Sequence, residues 1–307
     1  MNTMQCAKPK VSVCVVTYNH ENYIRDCLQS LVAQQTNFQF EVVVADDCSS
    51  DTTREVVREY AENYPHIVRY IFHPKNIGPA PNYTFVHEQA LGEYIAHMDG
   101  DDYALPGKLQ AQADYLDEHP NCSMVWHRMK LHNVGKNVLV DDLINPLLLP
   151  PGGFTRSDVI RYITIGMNSS KMYRAALRDI ELPEFPVVDY FINVEQIMNG
   201  VAAFVGDKPL GVYRVGIGVA SAGNATKRIL RDSFMHILRK YPDHRHDVAF
   251  AALVLFLAAL KNKQWQNVRL FLEVIGKSLS VRTAFDIYSE RKMVAMFKFP
   301  AEARKAN

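Results

Sequence analysis

The sequence predicts an α/β fold with a mostly parallel central sheet, followed by a region made only of helices. Three observations support this prediction. From Val11 to about Gly100, short apolar β-rich runs alternate with helical patterns, which is typical of consecutive βαβ units. Beyond Gly223 only helical patterns remain. A chain of 307 residues, 48% of them hydrophobic, can form one sizeable core plus an appendage.

Four strands are predicted in the first hundred residues, at VSVCVV, FEVVVA, IVRYIF and EYIAHM. VSVCVV and EVVVA are almost continuously apolar, as expected of parallel strands buried on both faces. Between the first two strands, ENYIRDCLQSLVAQ carries an apolar helical face made of Ile24, Cys27, Leu28, Leu31 and Val32. SSDTTREVVREYAENY repeats this pattern, with Ser and Asp as natural helix caps. A layered α/β sandwich follows.

The regular alternation of strands and helices ends after the fourth strand. A helix around Leu109 to Glu118, a strand CSMVWHRMKLH and an irregular connection INPLLLPPGGF come next. We therefore predict one domain over residues 1–223, with halves at 1–105 and 106–223. A C-terminal helical region is predicted over residues 224–307.

Charge and cysteine usage restrict the possible functions. Lys and Arg total 34 against 33 Asp and Glu, so no global field attracts nucleic acid. The five cysteines include no CxxC pair, which indicates reduced thiols and a cytoplasmic protein. MNTMQCAKPK lacks the apolar segment of a secretory signal. The longest apolar run, Val248 to Leu260, is shorter than the roughly 18 residues that span a membrane, which predicts a buried helix.

The strongest local signal for chemistry is YIAHMDGDDY, an apolar strand that ends in Asp99, Gly100, Asp101 and Asp102. Residues two apart at a strand end point the same way, so Asp99 and Asp101 can converge on one hard cation. Gly100 lets a ligand approach the backbone closely. Mg²⁺ or Mn²⁺ holding a diphosphate fits this pattern, and a solvated acidic turn is the alternative.

Two further strand ends carry polar clusters, in VVTYNHENY and VVVADDCSSDTT. Open parallel sheets bind ligands at the carboxyl ends of their strands. Thr17, Tyr18 and Asn19 supply a hydroxyl, an aromatic face and an amide that suit a nucleoside. Asp46 and Asp47 can accept from a base imide or a ribose hydroxyl. The alternative is structural: the first cluster turns the chain, and the second caps the next helix.

Together these segments resemble the family 2 glycosyltransferases of the GT-A fold, over about the first 220 residues. The matching pieces are VSVCVVTYNHENYIRDCLQSLVAQ, FEVVVADDCSSDTT and HPKNIGPAPNYTFVHEQALGEYIAHMDGDDYALPGKLQ, in this order. The resemblance implies an inverting, metal-dependent hexosyltransferase that uses a nucleotide diphosphate donor, with a UDP-sugar favoured. It also implies that residues 1–105 bind the donor and residues 106–223 bind the acceptor.

The resemblance assigns the nucleoside to the first two strand ends. Thr17, Tyr18 and Asp47 would hold it, with Asn19 beside them and Asp46 as a further candidate.

Two other classes of nucleotide-binding enzyme are excluded by missing glycine motifs. No GxGxxG follows the first strands, as a dehydrogenase would require, and VVTYNHENY has no glycine for the phosphate loop of a nucleotidyltransferase.

The resemblance also assigns the metal and the phosphates. Asp99 and Asp101 would form the DxD motif, with Asp101 as the direct ligand of Mn²⁺ or Mg²⁺. KNIGPAPNY matches the loop after the third strand that contributes to the donor site. There, Asn76 belongs to the matching pattern and Lys75 would approach a phosphate or the base.

The general base is sought in FPVVDYFINVEQIMNGVAAFVGDKPLGVYRV. Asp189 stands where the family keeps its base, at the beginning of a helix whose N–H groups stabilise a carboxylate. A plain N-cap is the alternative role, and Glu195 is a second carboxylate. The chain departs from the family at Val188, where a second acidic residue is usual. Arg214 is expected either to meet the diphosphate or to form a structural ion pair.

The acceptor implied by the resemblance is a saccharide or a lipid-linked saccharide in bacterial surface polysaccharide biosynthesis. One C-terminal helix has an apolar side and a basic remainder, the apolar side being Ile229, Leu230, Phe234, Ile237 and Leu238. This side either packs on the next helices or rests on an anionic membrane surface, which would place the protein at the inner face of the cell membrane. A non-catalytic nucleotide-sugar or glycan-binding module, acting as a scaffold, is the alternative function.

Overall fold

A computed structural model describes residues 8–217, 224–278 and 283–303 of the chain. Within these residues, helices cover both faces of a nine-stranded sheet. Its strands are β1 (Val11–Thr17), β2 (Phe40–Asp46), β3 (Val68–Phe72), β4 (Tyr94–Asp99), β5 (Tyr103–Ala104), β6 (Cys122–Asn133), β7 (Val138–Asp141), β8 (Met172–Arg174) and β9 (Val201–Val215). The helices are α1 (Ile24–Val32), α2 (Thr53–Asn63), α3 (Pro79–Glu88), α4 (Lys108–Glu118), α5 (Arg156–Tyr162), α6 (Asp189–Gln196), α7 (Asn224–Lys240), α8 (Arg245–Lys261), α9 (Trp265–Ser278), α10 (Thr283–Ser289) and α11 (Arg291–Met296).

The sheet has the order β3-β2-β1-β4-β8-β6-β9-β5, with β7 paired to β6. β1 to β4 are mutually parallel, and β8 runs antiparallel to both β4 and β6. The predicted α/β class is confirmed, and the four predicted strands are β1 to β4. Because β1 lies between β2 and β4, the strand order reverses there, which creates a crevice at the carboxyl edge.

Two apolar clusters cover the two faces of the sheet. On one face, α1, α2 and α4 pack through side chains such as Ile24, Leu28 and Leu109. The predicted apolar side of α1 is therefore buried. On the other face, Trp126 and Tyr190 share a cluster with Phe234 and other side chains of α7 to α9. The C-terminal helices thus contribute to the same core as the sheet.

The predicted boundary at 223 lies outside the described residues, so the division into domains stays a prediction.

The two apolar C-terminal helices differ in how much of them is covered. In α7, Leu230, Phe234 and Ile237 are buried, so this face packs against the protein, as one of the two interpretations predicted. In α8 the first half is buried, whereas Leu257 and Leu260 are 45% and 43% exposed. The prediction of a buried helix is therefore correct only for the first half. None of the helices in the described part of the chain combines the length and apolar character needed to cross a bilayer.

Gly92, just before β4, provides a test of this packing. A Cβ there would lie 2.6 Å from the Ser12 nitrogen and 2.9 Å from the Tyr94 carbonyl oxygen. Backbone atoms of paired strands cannot move aside, so Gly92→Ala should lower the free energy of unfolding by about 3 kcal/mol. Gly276→Ala is the matched control: its Cβ meets nothing within 4 Å on α9, and it should raise stability by up to about 1 kcal/mol. Urea unfolding of both variants checks this prediction, and equal stabilities would contradict it.

Candidate functional site

The parallel register brings the three predicted polar clusters together at one edge of the sheet. Thr17 pairs with Asp46, and Val16 pairs with Asp99. The Asp47 amide donates to the Thr17 carbonyl at 2.9 Å, which continues the alignment one residue beyond the strands. The side chains that follow β1, β2 and β4 therefore surround a single crevice.

The three carboxylates after β4 have different surroundings. Asp102 is fully buried and accepts from the Ser169 hydroxyl at 2.6 Å and from the Arg214 amide at 2.8 Å. Asp99 accepts from the Ser169 hydroxyl at 3.2 Å and lies 3.2 Å from Nε2 of His97. Asp101 is 7% exposed, and its carboxylate has no side-chain hydrogen bond among the described residues. Asp102 is thus structural, whereas Asp101 has its oxygens available.

The electrostatics of the pair suit a divalent cation. Burial and the neighbouring Asp99 charge raise the pKa of Asp101 to about 7. The pKa of Asp99 is lowered: burial favours its protonated form, but the interactions with His97 and Ser169 outweigh it. A bound cation would offset the repulsion that opposes ionisation of Asp101. No group of three or more potential metal-ligating side chains occurs among the described residues. Two carboxylates plus diphosphate oxygens are a usual ligand set for Mg²⁺ or Mn²⁺, so these residues fit such an ion.

Gly100 packs closely against the end of β1 and leaves no room for a side chain. A Cβ there would lie 2.9 Å from both Thr17 Oγ1 and His20 Nδ1. These two atoms are buried and have no hydrogen-bond partner within the described chain. Burial lowers the pKa of His20, although Asp99 and other nearby carboxylates oppose it, so its ring is neutral near pH 7. Because buried polar atoms are normally paired, both atoms fit a ligand. His20 lies in the segment that the sequence pattern assigns to a turn, and the pattern gives no sign of its buried nitrogen.

The remaining residues of the first two clusters divide between ligand-facing and structural positions. Tyr18 is 41% exposed at the crevice edge. Asn19 adopts a φ of 53°, and its side-chain oxygen accepts from the Ser50 amide at 2.9 Å, so it does turn the chain. Asp46 is fully buried and forms an ion pair with Arg54. Both contacts are structural, but Asp46 pairs with Arg54 of α2 and does not cap that helix, whose N-cap is Thr52.

Asp47 organises the loop that follows β3. Its two carboxylate oxygens accept from the amides of Ile77 at 2.6 Å and Gly78 at 2.9 Å. Its carbonyl accepts from the side-chain amide of Asn76 at 3.2 Å. Lys75 is exposed on this loop. The predicted loop after the third strand is thus held against the carboxyl edge of the sheet.

Arg214, on β9, forms the structural ion pair that was one of its two predicted roles. Its guanidinium pairs with Asp26 of α1 and donates to the Asp101 carbonyl at 2.7 Å. It also lies over the rings of Tyr23 and Tyr103. With only 7% of its side chain exposed, Arg214 fixes the backbone that presents the Asp101 carboxylate.

Asp189 is the first residue of α6, and Val188 is its N-cap. The Asp189 side chain accepts from the Tyr190 amide at 2.9 Å, a contact with the first turn made from a position one residue after the N-cap. Burial raises the pKa of Asp189, while the charge of Lys171 and the Tyr190 amide partly oppose this. Glu195 accepts instead from Lys240 of α7 at 2.8 Å. Asp189 is therefore the carboxylate of α6 that lies in the electrostatic field of the crevice.

The fold is that of GT-A glycosyltransferases. A solved structure of Staphylococcus aureus TarS residues 1–349, in complex with UDP-GlcNAc, matches with a TM-score of 0.65 and 23% identity. The match covers 94% of this chain and 89% of that one. A mannosyltransferase from Pyrobaculum calidifontis, in complex with GDP-Man and Mn²⁺, matches with a TM-score of 0.60 and 18% identity. That match covers 96% of this chain and 86% of the other.

A family model described as glycosyl transferase family 2 matches residues 12–175, and the chain belongs to this family. An uncharacterized protein of Mycobacterium tuberculosis is 33% identical over 210 residues, covering 66% of this chain and 58% of the relative. The chain thus spans little more than half of that relative. Bacillus subtilis TuaG, a glycosyltransferase assigned provisionally to teichuronic acid biosynthesis, is 26% identical over 68% of this chain and 80% of its own length.

Proposed function

We propose that this protein is an inverting glycosyltransferase that moves a sugar from a nucleotide diphosphate donor, with a UDP-sugar favoured, to an acceptor hydroxyl. The observation that carries the proposal is the meeting of the Asp99 and Asp101 carboxylates with the unpartnered atoms of Thr17 and His20 in one crevice. Family membership supports the reaction class. The similar structures with UDP-GlcNAc and with GDP-Man and Mn²⁺ support a nucleotide-sugar donor and a divalent cation.

In this proposal the donor lies along the carboxyl edge of the sheet. Asp101 and Asp99 would hold Mn²⁺ or Mg²⁺, which when bound neutralises the charge that grows on the departing diphosphate. Tyr18 offers its exposed ring to the base, and Thr17 and His20 offer their free polar atoms to the bound donor. Arg214 contributes indirectly, because it fixes the backbone at Asp101.

Another set of residues would bind the remainder of the nucleotide. Asp47 positions the loop from which Lys75 reaches a phosphate or the base, with Asn76 beside it. Asp46 and Asn19 act in this proposal by shaping the two loops. Gly100 is proposed to contact the donor through its backbone, and a side chain there would collide with Thr17 and His20.

Asp189 is the proposed general base. It accepts the proton of the acceptor hydroxyl as that oxygen attacks the anomeric carbon from the face opposite the departing nucleotide, which inverts this centre once. A raised pKa suits the role, because a carboxylate with a pKa closer to neutrality is a stronger base than an exposed aspartate. The acceptor is a saccharide or a lipid-linked saccharide. The relationship to TuaG and TarS supports a role in surface polysaccharide biosynthesis.

The proposed donor class can be tested by titration calorimetry of UDP and GDP with and without Mn²⁺. We expect UDP to bind with a Kd that weakens at least about tenfold in EDTA, because the two carboxylates repel a diphosphate that carries no cation. Equal binding with and without metal would contradict the metal site. Tight binding without any release of nucleotide from UDP-GlcNAc or GDP-mannose, across a panel of saccharide acceptors, would favour the non-catalytic module.

A further inference from the structure

Lys171, immediately before β8, is a fully buried ammonium group. Its Nζ donates to the Tyr83 hydroxyl at 2.9 Å, to Oδ1 of Asn193 at 3.0 Å and to Oε1 of Gln196 at 3.4 Å. All three partners are uncharged oxygens. A buried cation without a directly paired anion is costly, so its presence needs a reason. Sequence reasoning missed this residue because a lysine is ordinarily exposed.

The three contacts of Lys171 join the elements that border the proposed base. Asn193 and Gln196 lie on α6, one and two turns after Asp189, and Tyr83 lies on α3. The Lys171 carbonyl accepts from the His97 amide of β4 at 3.0 Å. The Lys171 side chain thus connects the helix that begins with Asp189 to α3, and its backbone joins β4 in the middle of the sheet.

The charges around Lys171 are those of the reaction site. Asp189 and Asp99 are the anions that favour its charged form, while burial lowers the pKa of Lys171 to about 8. Conversely, Lys171 is the main influence that favours the ionised form of Asp189 against burial. Other charged or titratable groups in the field of Asp189 are Asp99 and His97 from β4, Tyr83 from α3 and Tyr213 from β9.

We propose that Lys171 is a positioning residue for Asp189: it holds α6 in place through Asn193 and Gln196 and keeps a positive charge near the carboxylate without pairing with it. This inference rests on the proposed role of Asp189 as the base. A direct ion pair would occupy the carboxylate oxygens and lower their pKa further than a cation held at a distance. An ammonium held by neutral oxygens supplies its charge and leaves those oxygens free for the acceptor hydroxyl.

The test is the pH dependence of nucleotide release from UDP-GlcNAc, with GDP-mannose in parallel, in wild type and Lys171→Met. Asp189 acts only when ionised, so loss of the nearby cation should move the acid limb to higher pH by about one unit. At pH values below the wild-type acid limb, the rate of the variant should be about tenfold lower than that of wild type. The Kd for UDP should stay within about twofold of the wild-type value. Loss of rate at all pH values with an unmoved acid limb would show a purely structural role and overturn the proposal.

Two further variants keep the test decisive. Lys171→Met combined with Asn193→Leu removes one of the three polar partners that would otherwise lose their donor. It therefore lessens the cost to folding while keeping the loss of charge. This double variant should show the same displacement of the acid limb as Lys171→Met alone. Lys240→Met is the matched control, because Lys240 of α7 pairs directly with Glu195 of α6, the helix that begins with Asp189. The acid limb of this variant should not move. If Asp189→Asn keeps the wild-type rate, the proposed base itself is wrong. If Asp189→Asn is inactive but both Lys171 variants keep the wild-type acid limb, only the inference about Lys171 is wrong.

Discussion

Asp189→Asn is expected to lower kcat by about a thousandfold near neutral pH, with the Kd for the nucleotide unchanged within about twofold. General base catalysis contributes roughly this factor, and an asparagine oxygen cannot accept the proton of the acceptor. Because the carboxylate acts on the acceptor and not on the donor, the loss should appear in turnover and not in nucleotide binding. Steady-state release of nucleotide together with calorimetry checks this prediction.

Folding controls for this variant follow from the direction of its pKa shift. Burial raises the pKa of Asp189 in the folded state, so its ionisation costs stability as the pH rises from the unfolded-state pKa through the folded-state value. A neutral isostere removes this cost, and the Tm of Asp189→Asn near neutral pH should equal or exceed that of wild type. Asp179→Asn, at a side chain that is 87% exposed, should keep wild-type turnover. Wild-type kcat in Asp189→Asn would exclude this residue as the base.

Asp101→Asn is expected to abolish the metal dependence of donor binding and to lower turnover by at least about a thousandfold. The amide removes the negative charge that would hold the cation, and charge stabilisation on the leaving group is commonly the largest single contribution to such a reaction. The Kd for UDP in Mn²⁺ should then equal the value in EDTA. Calorimetry and nucleotide release, each repeated in chelator, measure the two effects separately.

The control for Asp101→Asn is Asp141→Asn, a surface aspartate that is 50% exposed and paired with Lys130. It should bind UDP and turn over as wild type does. The Tm of Asp101→Asn without metal should not fall, because burial beside Asp99 raises the pKa of Asp101 and the neutral amide removes that repulsion. Retained metal-dependent UDP binding in this variant would show that the cation is held elsewhere.

Much of the fold could be predicted because its information is local. The apolar runs at β1 to β4 and the apolar face of α1 lie within short windows, and each window shows the period of its own structure. Parallel strands align their carboxyl ends, so the meeting of Thr17, Asp46 and Asp99 in one crevice also follows from the sequence pattern. The family resemblance, since confirmed, depended on these same segments.

The remainder depended on pairings between distant parts of the chain. β8 is only three residues long, too short for its sequence to show a strand pattern. Its place between β4 and β6 depends on pairing with strands far away along the chain. Asp46 and Arg214 had two possible roles each, and only the tertiary partners Arg54 and Asp26 show which contacts they make. Local spacing could not distinguish a ligand-binding carboxylate from one that pairs within the protein.

What the sequence by itself determined is the α/β class, the positions of the first four strands along the chain and the acidic motif at the end of β4. Only the tertiary structure decided which polar groups are free and which are already paired. His20 presents an unpartnered buried nitrogen beside Gly100, and Lys171 is enclosed by neutral oxygens from α3 and α6. The physical reason is that burial, desolvation and hydrogen-bond partners are set by residues far away along the chain, whereas periodicity and capping are set by immediate neighbours.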